Sequence, residues 1–138
     1  EEFEIIKTHT TNGRNLIRSS VRQFGKISFL NIAEEIAYTH HEKWDGSGYP
    51  QGLKGDAIPI SGRLMALADV YDALISKRVY KEAYPHAEAV EIIVNAKGKH
   101  FDPDMVDAFL EIHEQFRNIA REHADSQEAK ESPKPDAA

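Results

Sequence analysis

The chain contains no cysteine, which excludes thiolate metal sites, disulfides and cysteine nucleophiles and leaves the compartment open. It also lacks any apolar run near the ~18 residues that a membrane-spanning helix needs, and it shows no signal-peptide pattern. A soluble, cytoplasmic chain with no membrane segment is the expectation. Positive charge is scarce too. The formal net charge is -6, and Glu122 to Ala138 alone holds five acids against two lysines. The remaining body is mildly acidic, which argues against a reader of DNA or RNA backbones. No segment alternates polar and apolar residues well enough to be a strand, so the expected class is all-α.

What is present fits one domain. A chain of 138 residues that is 41% hydrophobic can bury a single core and is too short for two of ordinary size. Phe3 and Ile6 predict a helix from Glu1 to about Thr8, and Gly13 predicts a bend before a helical stretch around Leu16 to Gln23. From Ser28 to His41 the apolar series Phe29, Ile32, Ala33, Ile36, Ala37 continues onto His40, which should point where the core side chains point. Asp45 to Asp56 carries Gly46, Gly48, Gly52, Gly55 and Pro50, and such a density suits a shaped surface loop. Pro59 to Ser76 is apolar nearly all round and predicts a buried central helix. Ala87 to Lys97, stopped by Gly98, and a helix opened by Asp102-Pro103-Asp104 and running to about His123 complete a domain over 1–123. Residues 124–138 have no large apolar side chain and two prolines, and are expected to be disordered.

Asp69 and Asp72 sit three residues apart on the central helix, where an unpaired carboxylate would need a cation or several donors. Two partners are open: a salt bridge to Arg63, Arg78 or Lys81, or a metal ion. Imidazoles with a carboxylate suit a first-row transition ion, and His9, His40 and His41 are available beside Asp69. Neighbouring helical residues point about 100° apart, so His40 and His41 can reach different ions of a closely spaced pair. Three histidines and an aspartate make a plausible site for more than one metal ion. By themselves Arg78 and Lys81 read as a solvated helix end, favoured by the helix dipole.

The strings "HHEKWDGSGYPQGLKGDAIP", "RLMALADVYDALISKRVYKEA" and "HFDP" together resemble the HD-GYP family of metal-dependent phosphohydrolases, over about Glu1 to Phe116. The resemblance implies an all-helical bundle holding two or three divalent iron or manganese ions and hydrolysing cyclic di-GMP. It further implies metal ligation by His9, His40, His41 and Asp69, and substrate contacts from Arg78, Lys81 and Asp72. Gly48, Tyr49 and Pro50 would shape a loop used for substrate access or for docking a diguanylate cyclase. The chain departs from the family in one respect: no His-Asp dipeptide occurs in it, so the dyad that names the family and its nearby lysine are missing. Val79 also stands where the family has proline. The expectation is the C-terminal part of an HD-GYP domain that is inactive alone, with apolar surface bared on the central helix and a tendency to self-associate into a homodimer. The rival reading is a non-catalytic module that binds nucleotide, metal or a diguanylate cyclase through the Gly-Tyr-Pro loop.

Overall fold

The computed structural model describes residues 2–24, 28–77 and 82–131. Five helices follow one another: α1 (Glu2–Phe24), α2 (Ser28–Thr39), α3 (Ile60–Ile75), α4 (His86–Asn95) and α5 (Pro103–Glu131), with a short 3-10 turn at Gly55–Ala57. No strand occurs among the described residues, and an isolated bridge pairs Lys97 with Phe101. The all-α expectation holds. Among the described residues no helix is long and apolar enough to cross a membrane.

The core lies where α3, α4 and α5 meet. Leu67 and Tyr71 from α3, Ala89 and Ile93 from α4, and Phe101, Val106 and Phe109 at and along the start of α5 are all buried. Tyr71, Phe109 and Phe116 pack edge to face, with centroids 5.2–5.7 Å apart, the geometry that aromatic quadrupoles favour. The expected cap of α5 is present: Asp102 Oδ1 accepts the Asp104 N–H at 2.9 Å, with Pro103 as the first helical residue.

Three expectations are corrected. First, Gly13 does not bend the chain, because α1 runs unbroken through it. A Cβ added at Gly13 would meet the Ala37 Cβ at 3.6 Å, an ordinary contact, and a single glycine lowers the propensity of a long helix without breaking it. Second, α3 is not buried all round. Gly62, Ala66, Leu67 and Tyr71 are buried, whereas Ile60, Leu64 and Met65 are 60%, 54% and 39% exposed. The same holds for α2, where Phe29 and Ile32 stand outside while Ala33, Ile36 and Ala37 pack. Apolar periodicity reports which faces are greasy and does not say which are covered. Third, α5 continues past His123 to Glu131, since Gln127, Glu128, Ala129 and Lys130 are good helix formers. Residues 132–138 lie outside the described residues.

Candidate metal centre

α2 ends at Thr39, and His40 and His41 occupy the turn just beyond it. His9, one turn before Gly13 on α1, faces them. The imidazole nitrogens of His9, His40 and His41 lie within 4.8 Å of one another. His9 Nδ1 is 2.6 Å from the Ile6 carbonyl and His40 Nδ1 is 2.9 Å from that of Ile36. A carbonyl can only accept, so both Nδ1 atoms carry protons, and the neutral form of each ring has its lone pair on Nε2. Those two Nε2 atoms face each other at 3.4 Å. Two acceptors so placed repel each other, and a cation between them relieves the repulsion. The distance matches the ~3.3 Å that separates ligands around an ion held at about 2.0–2.1 Å. Backbone carbonyls that fix the tautomer of a ligating histidine are the usual outer support of such a site.

His41 adds a third imidazole, and burial, reinforced by His40 and His9, lowers its pKa to about 4. The ring is thus neutral at physiological pH and free to ligate. Asp69 is close enough to act electrostatically on both His41 and Tyr49. The carboxylate is exposed, however, so burial does not force a partner upon it, and it stands beside the three-histidine group and not within it. Nor does Arg63 answer it. The Arg63 guanidinium lies 3.0 Å from buried Asp102 and 3.3 Å from Asp56, and Nε donates to the Ile58 carbonyl.

The glycine-rich loop folds back onto this cluster. Tyr49 stacks on His41, with centroids 4.9 Å apart and 26° between planes, and its N–H donates to the His41 carbonyl. Phe3 meets the other edge of Tyr49 at 6.2 Å, with the Lys7 ammonium 5.7 Å from its ring. Gly48 is obligatory here, because a Cβ would lie 2.5 Å from both the Glu42 Cα and the His41 carbonyl oxygen. Tyr49-Pro50 is a cis peptide. Gly48, Tyr49 and Pro50 therefore border the candidate metal centre. Asp72 points elsewhere, lining a cavity of about 790 Å³ with Tyr71, His86 and Arg117. Arg78 and Lys81, together with Val79, lie outside the described residues.

Glu42 is the residue that sequence reasoning missed. It is 2% exposed, and its carboxylate accepts the N–H groups of Gln51 at 2.8 Å and Leu53 at 3.0 Å. A buried acid immediately after two histidines anchors the loop that covers them, and its place inside "HHEKWDG" was the available signal. Glu42→Ala leaves two inward-facing N–H groups without acceptors, at a cost of about 2–4 kcal/mol. Urea unfolding checks this, and a loss below ~0.5 kcal/mol would remove Glu42 from the role.

The histidines also set a pH dependence. Unfolded, His41 protonates near 6.5; folded, only near 4. Between those values the unfolded chain binds more protons, so the metal-free protein loses stability as pH falls through this window, with the loss complete below it. Burial lowers His86 and His100 as well, and they act in the same direction. Unfolding free energies measured without metal should decline steadily from about pH 6.5 to about pH 4; a flat profile contradicts the prediction.

The chain is similar to known proteins over most of its length. The chain is 57% identical, over 126 residues, to a cyclic di-GMP phosphodiesterase of Vibrio cholerae, covering 91% of this chain and 26% of that protein. It is 45% identical over 125 residues to a cyclic di-GMP phosphodiesterase of Thermotoga maritima, covering 91% and 33%. The chain thus spans a third or less of the length of these relatives. Among solved structures, a cyclic GMP-AMP specific phosphodiesterase of Vibrio cholerae superposes with a TM-score of 0.67 at 26% identity, covering 95% of this chain and 29% of that one. Residues 1–105 match the HD domain family, and the chain belongs to that family, in its HD-GYP branch.

Proposed function

We propose that the chain serves as a metal-dependent phosphodiesterase domain acting on a cyclic dinucleotide, cyclic di-GMP by preference, with His9, His40, His41 and Asp69 as metal donors. The observation that carries the reading is the convergence of the His9 and His40 Nε2 atoms, 3.4 Å apart, with the ring of His41 within 4.8 Å and the carboxylate of Asp69 acting on it. The donor set of imidazoles and one carboxylate fits iron or manganese. The chemistry supplied at such a site is Lewis-acid polarisation of the phosphodiester and activation of the attacking water. The remaining work falls to the chain. Tyr49, held against His41, offers a stacking face for a base and screens the imidazoles from solvent. Arg78 and Lys81 are assigned to the substrate phosphates. Arg78→Ala and Lys81→Ala in the manganese-loaded protein should weaken cyclic di-GMP binding about tenfold each, the scale of one charge-assisted contact. Metal content should stay constant, and a loss of manganese in either variant would assign these residues to the metal instead.

A second reading is favoured by one observation: the 138 residues contain no His-Asp dipeptide. In that reading the domain binds nucleotide or a diguanylate cyclase through the Gly48-Tyr49-Pro50 loop without cleavage. Hydrolysis assays separate the two, since binding without product supports the second. A cytoplasmic setting and self-association through the exposed face of Ile60, Leu64 and Met65 complete the proposal.

A further inference from the structure

A second group of ligating side chains lies between α4 and α5 and shares no member with the first. His86 opens α4, and His113 and Glu114 are consecutive residues of α5. His86 Nε2 is 2.9 Å from His113 Nδ1, and Glu114 Oε1 is 3.8 Å from each of those nitrogens. These three separations bracket the ~3.3 Å between ligands on an ion held at about 2.0–2.1 Å. We propose that His86, His113 and Glu114 form a site for a first-row divalent cation of the zinc type, tying the start of α4 to the middle of α5.

The outer contacts match such a site. The other ring nitrogen of His86, Nδ1, lies 2.8 Å from the hydroxyl of Tyr71, which is 3% exposed; an Nδ1–H donated there leaves the Nε2 lone pair for the ion. Glu114 divides its oxygens, for Oε2 meets the Arg117 guanidinium at 2.5 Å while Oε1 turns to the two imidazoles. A plain Tyr71–His86–His113 hydrogen-bond chain explains the 2.8 and 2.9 Å contacts. It leaves Oε1 to solvent, on a side chain 53% exposed, because 3.8 Å is too long for a hydrogen bond to either imidazole. A cation engages all three atoms. His86 also lines the cavity of about 790 Å³, which gives an ion a path in and room for a water in the fourth position.

The test isolates this cluster in the full chain by removing the first one. A His40→Ala/His41→Ala variant titrated with Co²⁺ should still bind one equivalent, with the visible bands of a low-coordinate ion, and Zn²⁺ should displace it. Adding His113→Ala should abolish the bands and weaken binding at least a hundredfold. Tyr71→Phe should weaken it by about tenfold and keep the bands, the signature of an outer support. Far-UV circular dichroism reports whether each variant keeps its helices, and His113, 30% exposed at its side chain, can be truncated without opening the core. Failure of the His40/His41 variant to bind Co²⁺, or binding indifferent to His113→Ala, overturns the proposal. Neither result touches the cyclic-dinucleotide reading, which is tested by manganese and nucleotide binding in the single His113→Ala chain.

Discussion

Replacing His40 and His41 together by alanine is expected to lower the affinity of the first centre for Mn²⁺ by more than a hundredfold. Disturbing only the outer partners of a metal ligand costs 10–100-fold, and here two of three imidazoles go at once. What remains is His9, whose Nε2 then faces no second donor, and the exposed carboxylate of Asp69. The fold should survive. Both histidines sit in the turn beyond α2, and the core of Leu67, Tyr71, Ile93, Val106 and Phe109 contains neither. Tyr49 loses its stacking partner, yet the loop stays anchored by the two N–H bonds to Glu42. The measurement is manganese titration by calorimetry in a His113→Ala background, so that the α4–α5 cluster does not contribute. Unchanged manganese affinity with weakened nucleotide binding would mean that the pair serves phosphate and not metal.

How far this centre could be seen in advance differs residue by residue. The adjacent histidines were legible because the apolar series of α2 leads onto them and a loop follows at once. His9 lies 31 residues from His40, and spacing alone does not bring the two together; the motif match did. For Asp69 the argument from burial fails, since the carboxylate is exposed and not buried, and its electrostatic reach to His41 is what keeps it a candidate. Glu42 was passed over because a glutamate before a loop reads as solvated, and its burial depends on two N–H groups nine and eleven residues further on. His86 and His113 are 27 residues apart, with no motif between them. Their meeting depends on how α4 crosses α5, which is a property of the packed core. Arg63 shows the same limit: its partner, Asp102, is 39 residues away, and a nearer acid on its own helix was the natural guess.

The 138-residue chain by itself is expected to hold one ion at the first centre and to produce no measurable linear dinucleotide from cyclic di-GMP. Three imidazoles within 4.8 Å and one nearby carboxylate suffice for a single ion that keeps an open position. A pair of ions 3.5–4 Å apart, clamping both the attacking and the leaving oxygen, needs further donors and a group shared between the two metals. Among the described residues no other histidine or acid joins the cluster, and Asp72 lines the cavity on the His86 side. One ion still neutralises phosphate charge, so nucleotide binding should persist while turnover falls by several orders of magnitude relative to a two-ion site. The comparison is between this chain and the same chain preceded by a helical segment that carries a His-Asp dyad, each loaded with Mn²⁺ or Fe²⁺ and assayed for linear product. Equal turnover by the two would show that the donors within these 138 residues suffice for both ions.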